Sequence, residues 1–258
     1  MAFKVQGVYF SHIELINKNK KLTSKSYSFS DFKKKIDRSN EICDLFNNLN
    51  FKNHKLENLL FKKKKISIFG ILNLTPDSFS DGGSYKTLSE ALFKAKKMIK
   101  NGASFVDVGG ESTRPGADLV MPEDEILRVL PAIQRLNYHN IDISLDTRNS
   151  STMELGILSG VKIINDVSAL QNDKKSINVV KKNKVPIVIM HMPGTPKTMM
   201  DKIKSYGDIV LDVYDFLQRR INELIMLGIE KKNIIVDPGI GFGKDLKQNL
   251  TLIKNLSI

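Results

Sequence analysis

The sequence contains only one cysteine, Cys43, and no long apolar run. A single cysteine cannot form an internal disulfide, which excludes a disulfide framework within the chain and favours a reducing compartment. No apolar run approaches the ~18 residues that a membrane-spanning helix requires. The first residues, MAFKVQGVYFSHIELINKNKK, also lack the apolar core and cleavage site of a signal peptide. We therefore expect a cytoplasmic protein without membrane contacts.

Two common kinds of functional site are absent from the sequence. It has no Cys/His cluster suited to zinc and no GxxxxGK[ST] loop that would bind nucleotide phosphates. It also has no recognisable signature of an RNA- or DNA-binding module. We therefore expect no nucleic-acid partner, although the formal net charge of the 258 residues is +12.

The positive charge is concentrated near the N-terminus. Residues 1–65 contain 15 Lys and Arg against 6 Asp and Glu, whereas residues 66–258 contain 25 against 22. Lysine runs such as those at 33–35 and 62–65 are typical of a solvated surface, and an anionic partner is the alternative. We interpret residues 1–65 as a Lys-rich extension, partly helical or disordered, in which apolar residues between Ile36 and Leu49 predict a short amphipathic helix.

From Ile66 onward, short apolar runs alternate with amphipathic segments. The predicted strands lie within 66–72, 104–110, 141–147, 161–169, 185–191 and 233–239. The predicted helices lie within 87–102, 150–159, 174–183, 208–227 and 246–256, with one more beginning at Pro122. Short continuous apolar strands are typical of parallel strands covered on both faces. The alternation therefore predicts a parallel sheet with helices outside.

Polar residues at the strand ends distinguish between a doubly wound sheet and a (β/α)8 barrel. Nearly every predicted strand ends in one: Asn73, Asp107, Asp146, Asn165, His191 and Asp237. In a barrel all the loops that follow the strands meet over one mouth, whereas a doubly wound sheet gathers its ligand groups at a single switch point. The pattern favours a TIM-type barrel, incomplete here because only six strand–helix units are present.

Three of these polar residues suggest a pocket for a planar heterocycle. Asp146, Asn165 and Asp237 would place two carboxylates and a carboxamide around one site, and a carboxylate can accept two hydrogen bonds from adjacent ring N–H and amino groups. Met190 is expected to line the pocket floor. Each residue also has a structural interpretation: Asp146 as a helix N-cap, Asn165 as a tie between loops, and His191 as a packed rim residue.

Two glycine-rich loops follow the first two strands. In GGESTRPGA (109–117), glycines free the backbone, Arg114 offers a guanidinium for an anion, and Thr113 adds a hydroxyl. The loop in GILNLTPDSFSDGG (70–83) is longer than most strand–helix connections, and such loops tend to be functional. We therefore expect both loops to contribute to the site.

Six stretches in the chain resemble the dihydropteroate synthase family of folate biosynthesis, in order and in spacing: GILNLTPDSFSDGG, VDVGGESTRPGA, SLDT, IIND, HMPGTP and DPGIGFGK. The resemblance covers roughly residues 66–258. Pterin-dependent methyltransferases share the barrel and the Asp/Asn pocket but not the first two loops, and they are the less favoured enzyme alternative.

The resemblance implies a transferase that condenses 6-hydroxymethyl-7,8-dihydropterin pyrophosphate with 4-aminobenzoate. By analogy, Asp146, Asn165 and Asp237 bind the pterin, and Asn73 helps to ligate Mg²⁺ and pyrophosphate. The loop residues would close over the site and form the aminobenzoate pocket, where sulfonamides are expected to compete: Phe79, Ser80, Asp81, Thr113 and Arg114. Asp81, Arg114, Asp146 and Asp237 are the residues expected to take part in catalysis.

The sequence departs from the family pattern after the sixth unit. The S-R-K and R-x-H motifs of the family's last two strands do not occur in it, and residues 1–65 offer no two clean strands to replace them. We expect a truncated synthase or a partial sequence, with exposed sheet edges and little activity. The family forms homodimers through C-terminal helices, which would be missing here. A catalytically inactive pterin-binding protein is the non-enzymatic alternative.

Overall fold

The computed structural model describes residues 3–5, 8–10, 12–17, 23–36, 54–61, 66–75, 85–112, 119–203 and 206–256. The chain divides into two compact units, Met1–His54 and Lys55–Ile258. Throughout the described ranges, no helix combines the length and the apolar character needed to cross a membrane. Most of the predicted amphipathic helix between Ile36 and Leu49 lies outside the described residues.

Among its described residues, the N-terminal unit contains two antiparallel hairpins and one helix. Strands β1 (Phe3–Val5) and β2 (Val8–Phe10) form the first hairpin, and β3 (His12–Asn17) and β4 (Thr23–Ser28) form the second. Helix α1 (Phe29–Ile36) follows directly. None of these strands was among the predicted elements.

Helix α1 begins with a local hydrogen-bond exchange. The Ser28 hydroxyl donates to the Asp31 carboxylate (2.7 Å) and accepts from the Asp31 amide (3.4 Å), which supplies an acceptor for an otherwise unpaired N–H of the first turn. The ammonium groups of Lys25 and Lys35 lie 5.6 and 5.1 Å from the centroid of the Tyr27 ring. Part of the N-terminal positive charge is therefore packed on an aromatic face.

In the part of the second unit that the structure describes, six parallel strands alternate with helices. The strands are β5 (Phe69–Asn73), β6 (Phe105–Gly109), β7 (Ile143–Asp146), β8 (Ile163–Asp166), β9 (Ile187–Met190) and β10 (Ile234–Asp237). The helices are α2 (His54–Phe61), which begins at the unit boundary, then α3 (Tyr85–Lys100), α4 (Pro122–Tyr138), α5 (Ser150–Leu158), α6 (Ser176–Asn183), α7 (Ile209–Met226) and α8 (Leu246–Lys254). Short 3₁₀ helices occupy Met199–Lys202 and Lys231–Asn233.

The strand order follows the chain order, with β5 and β10 at the two ends of the described sheet. The six predicted strand–helix units are confirmed, and they form the parallel arrangement expected of a barrel's first six units. Strand β6 is buried at every position, whereas Ile71 on β5 and Val236 on β10 are 67% and 48% exposed. Burial therefore decreases from the centre of the sheet to its two end strands, and the core lies between the inner strands and the helices.

Candidate active site

The strand register brings the predicted site residues onto one face of the sheet. Asn73 pairs with Gly109, Gly109 with Asp146, and Asp146 with Asn165, so these residues form one row across four strands. The row continues through Val188 and Ile235. Because side chains alternate between the two faces of a strand, residues two positions from the row share its face: Asp107, Met190 and Asp237. The predicted site residues in the sheet are therefore brought together.

Gly109 leaves a gap between two of the polar side chains. A Cβ atom built on Gly109 would lie 3.3 Å from Asn73 Oδ1 and 3.5 Å from Asp146 Oδ2. Both oxygens thus face the same point above the bare backbone of β6, and a ligand atom placed there can contact both. Glycine is the residue that allows such a close approach.

Asp107 lies next to Asn165 and belongs to the same site. Its Oδ2 accepts a hydrogen bond from Asn165 Nδ2 at 3.0 Å, and the neighbouring Ser144 hydroxyl opposes the rise that burial causes in its pKa. The sequence placed Asp107 at a strand end but gave it no role in the pocket. The contact fixes the orientation of the Asn165 carboxamide, so that its oxygen is the atom left for a ligand.

The structure does not support the purely structural interpretations of Asp146 and Asn165. Helix α5 begins after Asn149, so Asp146 is not its N-cap. Asn165 contacts a strand residue, Asp107, rather than tying loops together. Both side chains are half-buried, as Asp237 is, and Met190 is almost fully buried beside Asp237 in the register.

Burial raises the pKa of several carboxyl groups in this part of the site. It is the main cause that raises the pKa of Asp146 well above its usual value, and the neighbouring charges of Asp107 and Asp166 add to the effect. Burial also raises the pKa of Asp107. It raises the pKa of Asp166 to about 6, although hydrogen bonds from Ser168 oppose the shift. Repulsion among these carboxylates therefore adds to burial in favouring the neutral form of Asp146.

A buried ion pair links the residues that follow β6 to those that follow β7. Arg148 Nε and Nη2 donate to Glu111 Oε2 and Oε1 at 2.8 and 2.6 Å, a bidentate geometry. Glu111 Oε1 also accepts from the Val120 amide at 3.1 Å, so this carboxylate joins Glu111 to Val120. Arg148 lies two residues after Asp146, and the pair thereby connects the β6 loop to the β7 loop.

A second buried carboxylate, Glu125, organises the start of α4. Its Oε2 accepts from Thr147 Oγ1 and Asn149 Nδ2, both at 2.9 Å, and from Thr152 Oγ1 at 2.6 Å. Burial raises its pKa, and these hydrogen bonds oppose the rise. We call Asp107, Glu111, Glu125, Asp146 and Asp166, together with Arg148, the acidic corner.

The opposite side of the site is built from backbone carbonyls and glycines. Asp237 Oδ1 accepts from the Gly239 amide at 2.7 Å. The buried Lys244 ammonium donates to the carbonyls of His191, Gly239 and Phe242 at 3.2, 2.8 and 2.9 Å. We call His191 and residues 237–244 the lysine corner. Burial lowers the pKa of Lys244 to about 8, and the Asp237 charge opposes this shift.

His191 is a packed residue of this corner. Its ring meets Phe216 edge-on at 4.9 Å between centroids and lies 5.9 Å from Tyr206. Burial, with the charge of Lys244, lowers its pKa to about 4, so the ring is neutral near pH 7. These contacts agree with the packed-rim interpretation of His191.

Five of the predicted site residues lie outside the described residues: Phe79, Ser80, Asp81, Thr113 and Arg114. Conversely, the sequence reasoning gave no role to Glu111, Arg148 or Lys244. Glu111 and Lys244 stand within the quoted motifs GGESTRPGA and DPGIGFGK. For Glu111 and Arg148 the available signal was a charged residue two positions after a buried strand, since such residues are rarely buried unless paired. Lys244 lies seven residues after β10 and had no such signal.

The side-chain oxygens of the site suit a metal ion that is bound mainly by the phosphates of a substrate and only partly by the protein. Within the ranges that the structure describes, no three His, Cys, Asp or Glu side chains are grouped as a metal site. Mg²⁺ commonly binds to proteins through one or two side-chain oxygens and completes its coordination with phosphates and water. Asn73 Oδ1, facing the gap above Gly109, is an oxygen donor of this kind.

Comparison with known proteins identifies the family of the chain. The family model described as "Pterin binding enzyme" matches residues 69–258. The dihydropteroate synthase of Bacillus subtilis (strain 168) is 41% identical over 206 residues, which are 80% of this chain and 70% of the relative. That of Haemophilus influenzae is 44% identical over 191 residues, 74% of this chain and 69% of the relative.

Solved structures give the same result. The Yersinia pestis dihydropteroate synthase with a sulfonamide drug complex has a TM-score of 0.68 at 39% identity, over 74% of this chain and 69% of that one. The Xanthomonas albilineans enzyme with 4-aminobenzoic acid has a TM-score of 0.67 at 40% identity, over 74% and 67%. The fold, the polar row and these similarities lead to one conclusion. The chain belongs to the dihydropteroate synthase family of pterin-binding enzymes.

Proposed function

We propose that this chain condenses 6-hydroxymethyl-7,8-dihydropterin pyrophosphate with 4-aminobenzoate to give 7,8-dihydropteroate and pyrophosphate. One observation carries the proposal: the carboxyl groups of Asp107, Asp146 and Asp237 share one face of the sheet with the Asn165 carboxamide. This arrangement suits a flat heterocycle that offers ring N–H and amino donors together with ring acceptors. The family's substrates have this chemistry.

The pterin ring would occupy the face between the acidic corner and Asp237. Asp146 and Asp237 would accept from its amino and N–H groups, and Asn165, held by Asp107, would present its carboxamide oxygen. Burial already favours the neutral form of the Asp146 carboxyl group. Pterin binding would remove the remaining water from it. Donors from the ring replace that water and favour the carboxylate form of Asp146.

The reaction exchanges one bond at the pterin methylene for another. The C–O bond to the pyrophosphate breaks, and the leaving group takes the electron pair. The amino nitrogen of 4-aminobenzoate forms the new C–N bond and then loses a proton. The chain's contribution is to hold the two reactants in line on one face, because correct orientation supplies much of the rate enhancement in such displacements.

Mg²⁺ would be held by Asn73 at the end of β5. When bound, the ion would neutralise charge on the departing pyrophosphate. The roles that the resemblance implies for Phe79, Ser80, Asp81, Thr113 and Arg114 stay predictions, as does the cytoplasmic location.

Calorimetry combined with an enzyme-coupled pyrophosphate-release assay tests the proposal. We expect the chain to bind the pterin pyrophosphate and to release pyrophosphate only when 4-aminobenzoate is added. Asp237→Asn should weaken pterin binding about tenfold or more because it removes a charge-assisted acceptor. Glu154→Gln, on the exposed surface of α5, is the matched control and should bind like the wild type.

The outcome separates this function from its alternatives. Binding without pyrophosphate release would support an inactive pterin-binding protein instead. Methyl transfer from a methylated pterin, without release of pyrophosphate, would support the methyltransferase alternative. Absence of pterin binding would contradict the proposed function altogether.

A further inference from the structure

The Lys244 ammonium occupies a ring of three backbone carbonyls that belong to two different loops. His191 O lies in the loop after β9, and Gly239 O and Phe242 O lie in the loop after β10. Lys244 is only 6% exposed. An ammonium group has three N–H donors, and here each of them has an acceptor.

The two loops come close together at this point. Gly239 has φ +70°, and a Cβ atom built on it would lie only 2.0 Å from His191 O. The carbonyl oxygens of His191 and Gly239 can therefore share one donor group. Without it, the carbonyls of His191 and Phe242 would lose this donor, which is costly for buried groups. The Gly239 carbonyl would keep only its hydrogen bond from the Phe242 amide at 3.1 Å.

Asp237 is hydrogen-bonded to two of the residues whose carbonyls surround Lys244. Its side-chain Oδ1 accepts from the Gly239 amide at 2.7 Å. Its backbone carbonyl accepts from the His191 amide at 3.0 Å. Both residues that fix Asp237 are thus residues whose own carbonyls bind Lys244.

The backbone of Lys244 is fixed in turn at the start of α8. Its carbonyl accepts from Asn249 Nδ2 at 3.1 Å, and the next residue, Asp245, forms a capping box with Gln248. The side chain therefore extends from an anchored position into the carbonyl ring. It acts as a strut between the helix and the two loops.

We propose that Lys244 is a positioning residue, which holds Asp237 in the orientation that binds the pterin by tying the loop after β9 to the loop after β10. The inference rests on the proposed function for the identity of the ligand. Lys244 itself makes no contact with the substrate in this proposal. It acts through Gly239 and His191.

The chemistry of the ring requires an ammonium cation. Three converging carbonyl oxygens form a negative concavity, which a cation with three donors satisfies completely. A glutamine would offer two donors and direct its own carbonyl oxygen at the others. A methionine would fill the volume and donate nothing.

The test is a chemical rescue of Lys244→Ala with propylammonium. The alanine variant lacks Cγ, Cδ, Cε and Nζ, and propylammonium supplies the same four atoms. We expect Lys244→Ala to bind the pterin pyrophosphate at least about tenfold more weakly, and near-saturating propylammonium to recover most of that loss. Lys244→Met has no cavity for the amine and should stay weak. Lys247→Ala, on the exposed surface of α8, should match the wild type.

Hydrogen exchange read by mass spectrometry provides a second measurement that needs no ligand. In Lys244→Ala, exchange should rise in peptides covering 191–195 and 237–243, and it should return toward the wild-type rate with propylammonium. Peptides from α4 should not change. A general loss of stability would instead raise exchange throughout the unit.

Three results would overturn the proposal. These are an unchanged pterin affinity in Lys244→Ala, a rescue of stability without rescue of affinity, and exchange that is unchanged at 237–243. A wild-type chain that binds no pterin pyrophosphate would contradict the proposed function and leave no ligand for Asp237 to orient. The exchange data would then decide alone whether Lys244 ties the two loops.

Discussion

The two sides of the site are held together in different ways. In the acidic corner, side chains bind side chains: Arg148 pairs with Glu111, and two threonines and an asparagine converge on Glu125. In the lysine corner, one side chain binds backbone carbonyls, and glycines with positive φ bring those carbonyls together. The first side depends on paired side chains, above all the ion pair of Glu111 and Arg148, and the second depends on one ammonium group and on the absence of Cβ atoms.

This difference indicates what each side tolerates. A buried ion pair is sensitive to the loss of one partner, because the remaining charge stays buried. A set of close backbone contacts is sensitive to added volume instead, because backbone cannot move aside as a flexible side chain can. Removing a charge should therefore damage the acidic corner most, whereas adding a Cβ atom should damage the lysine corner most.

The largest effect is expected from Arg148→Met in the acidic corner. It leaves the Glu111 carboxylate buried without its cation, and the free energy of unfolding should fall by about 3–5 kcal/mol. Urea unfolding measures this change. Lys182→Met is the matched control, because its ion pair with Glu154 is exposed and should contribute less than about 1 kcal/mol.

Replacing both partners sharpens this first prediction. In the double variant Glu111→Leu/Arg148→Met no charge is left unpaired, so much of the lost stability should return. Equal losses in the single and double variants would show that the corner does not depend on matched charges.

The next largest effect is expected from Gly239→Ala in the lysine corner. The new Cβ would lie 2.0 Å from His191 O, and the resulting shift of backbone, together with the strain of the left-handed conformation, should cost about 3 kcal/mol. Gly241→Ala is the control: its φ is +85°, but nothing lies within 4 Å of the added atom. Similar losses of stability in the two variants would contradict a close backbone contact at Gly239.

The smallest effect is expected from His191→Phe and depends on pH. The His191 pKa is about 4 in the folded chain, against an ordinary value of about 6.5 when unfolded. Between these values the unfolded chain binds the additional proton, so wild-type stability should decrease as the pH falls. The loss due to His191 should be on the order of 2 kcal/mol between about pH 7.5 and pH 5, and Phe removes it while keeping an aromatic ring.

Urea unfolding of both chains at several pH values provides the measurement. Comparison with the variant isolates this one group from the other carboxyl and histidine groups that titrate in the same range. Parallel curves of stability against pH would show that His191 is not held neutral by burial.

The parts of the fold that could be predicted from the sequence are those that a single segment determines without its neighbours. All six strands of the second unit are short apolar runs, and the polar residue at each strand end could be recognised without knowledge of its neighbours. Asn73, Asp146, Asn165 and Asp237 were found in this way. Their common face then follows from parallel register.

Other features depend on which loops are adjacent and could not be predicted. Glu111 and Arg148 are 37 residues apart, and Lys244 and His191 are 53 apart, so no local pattern indicates either contact. The hairpin strands of the N-terminal unit were missed for another reason. A strand such as TSKSYS at β4 has no apolar face for periodicity to reveal.

Gly109 has a consequence beyond its role in packing. The point toward which Asn73 and Asp146 face has bare peptide beneath it, and the distances to a built Cβ are tight without being prohibitive. A methyl group at Gly109 would leave the fold almost intact and would permanently occupy the space between the two oxygens. Every molecule of such a variant would have this part of the site filled, so raising the ligand concentration would not displace the methyl group.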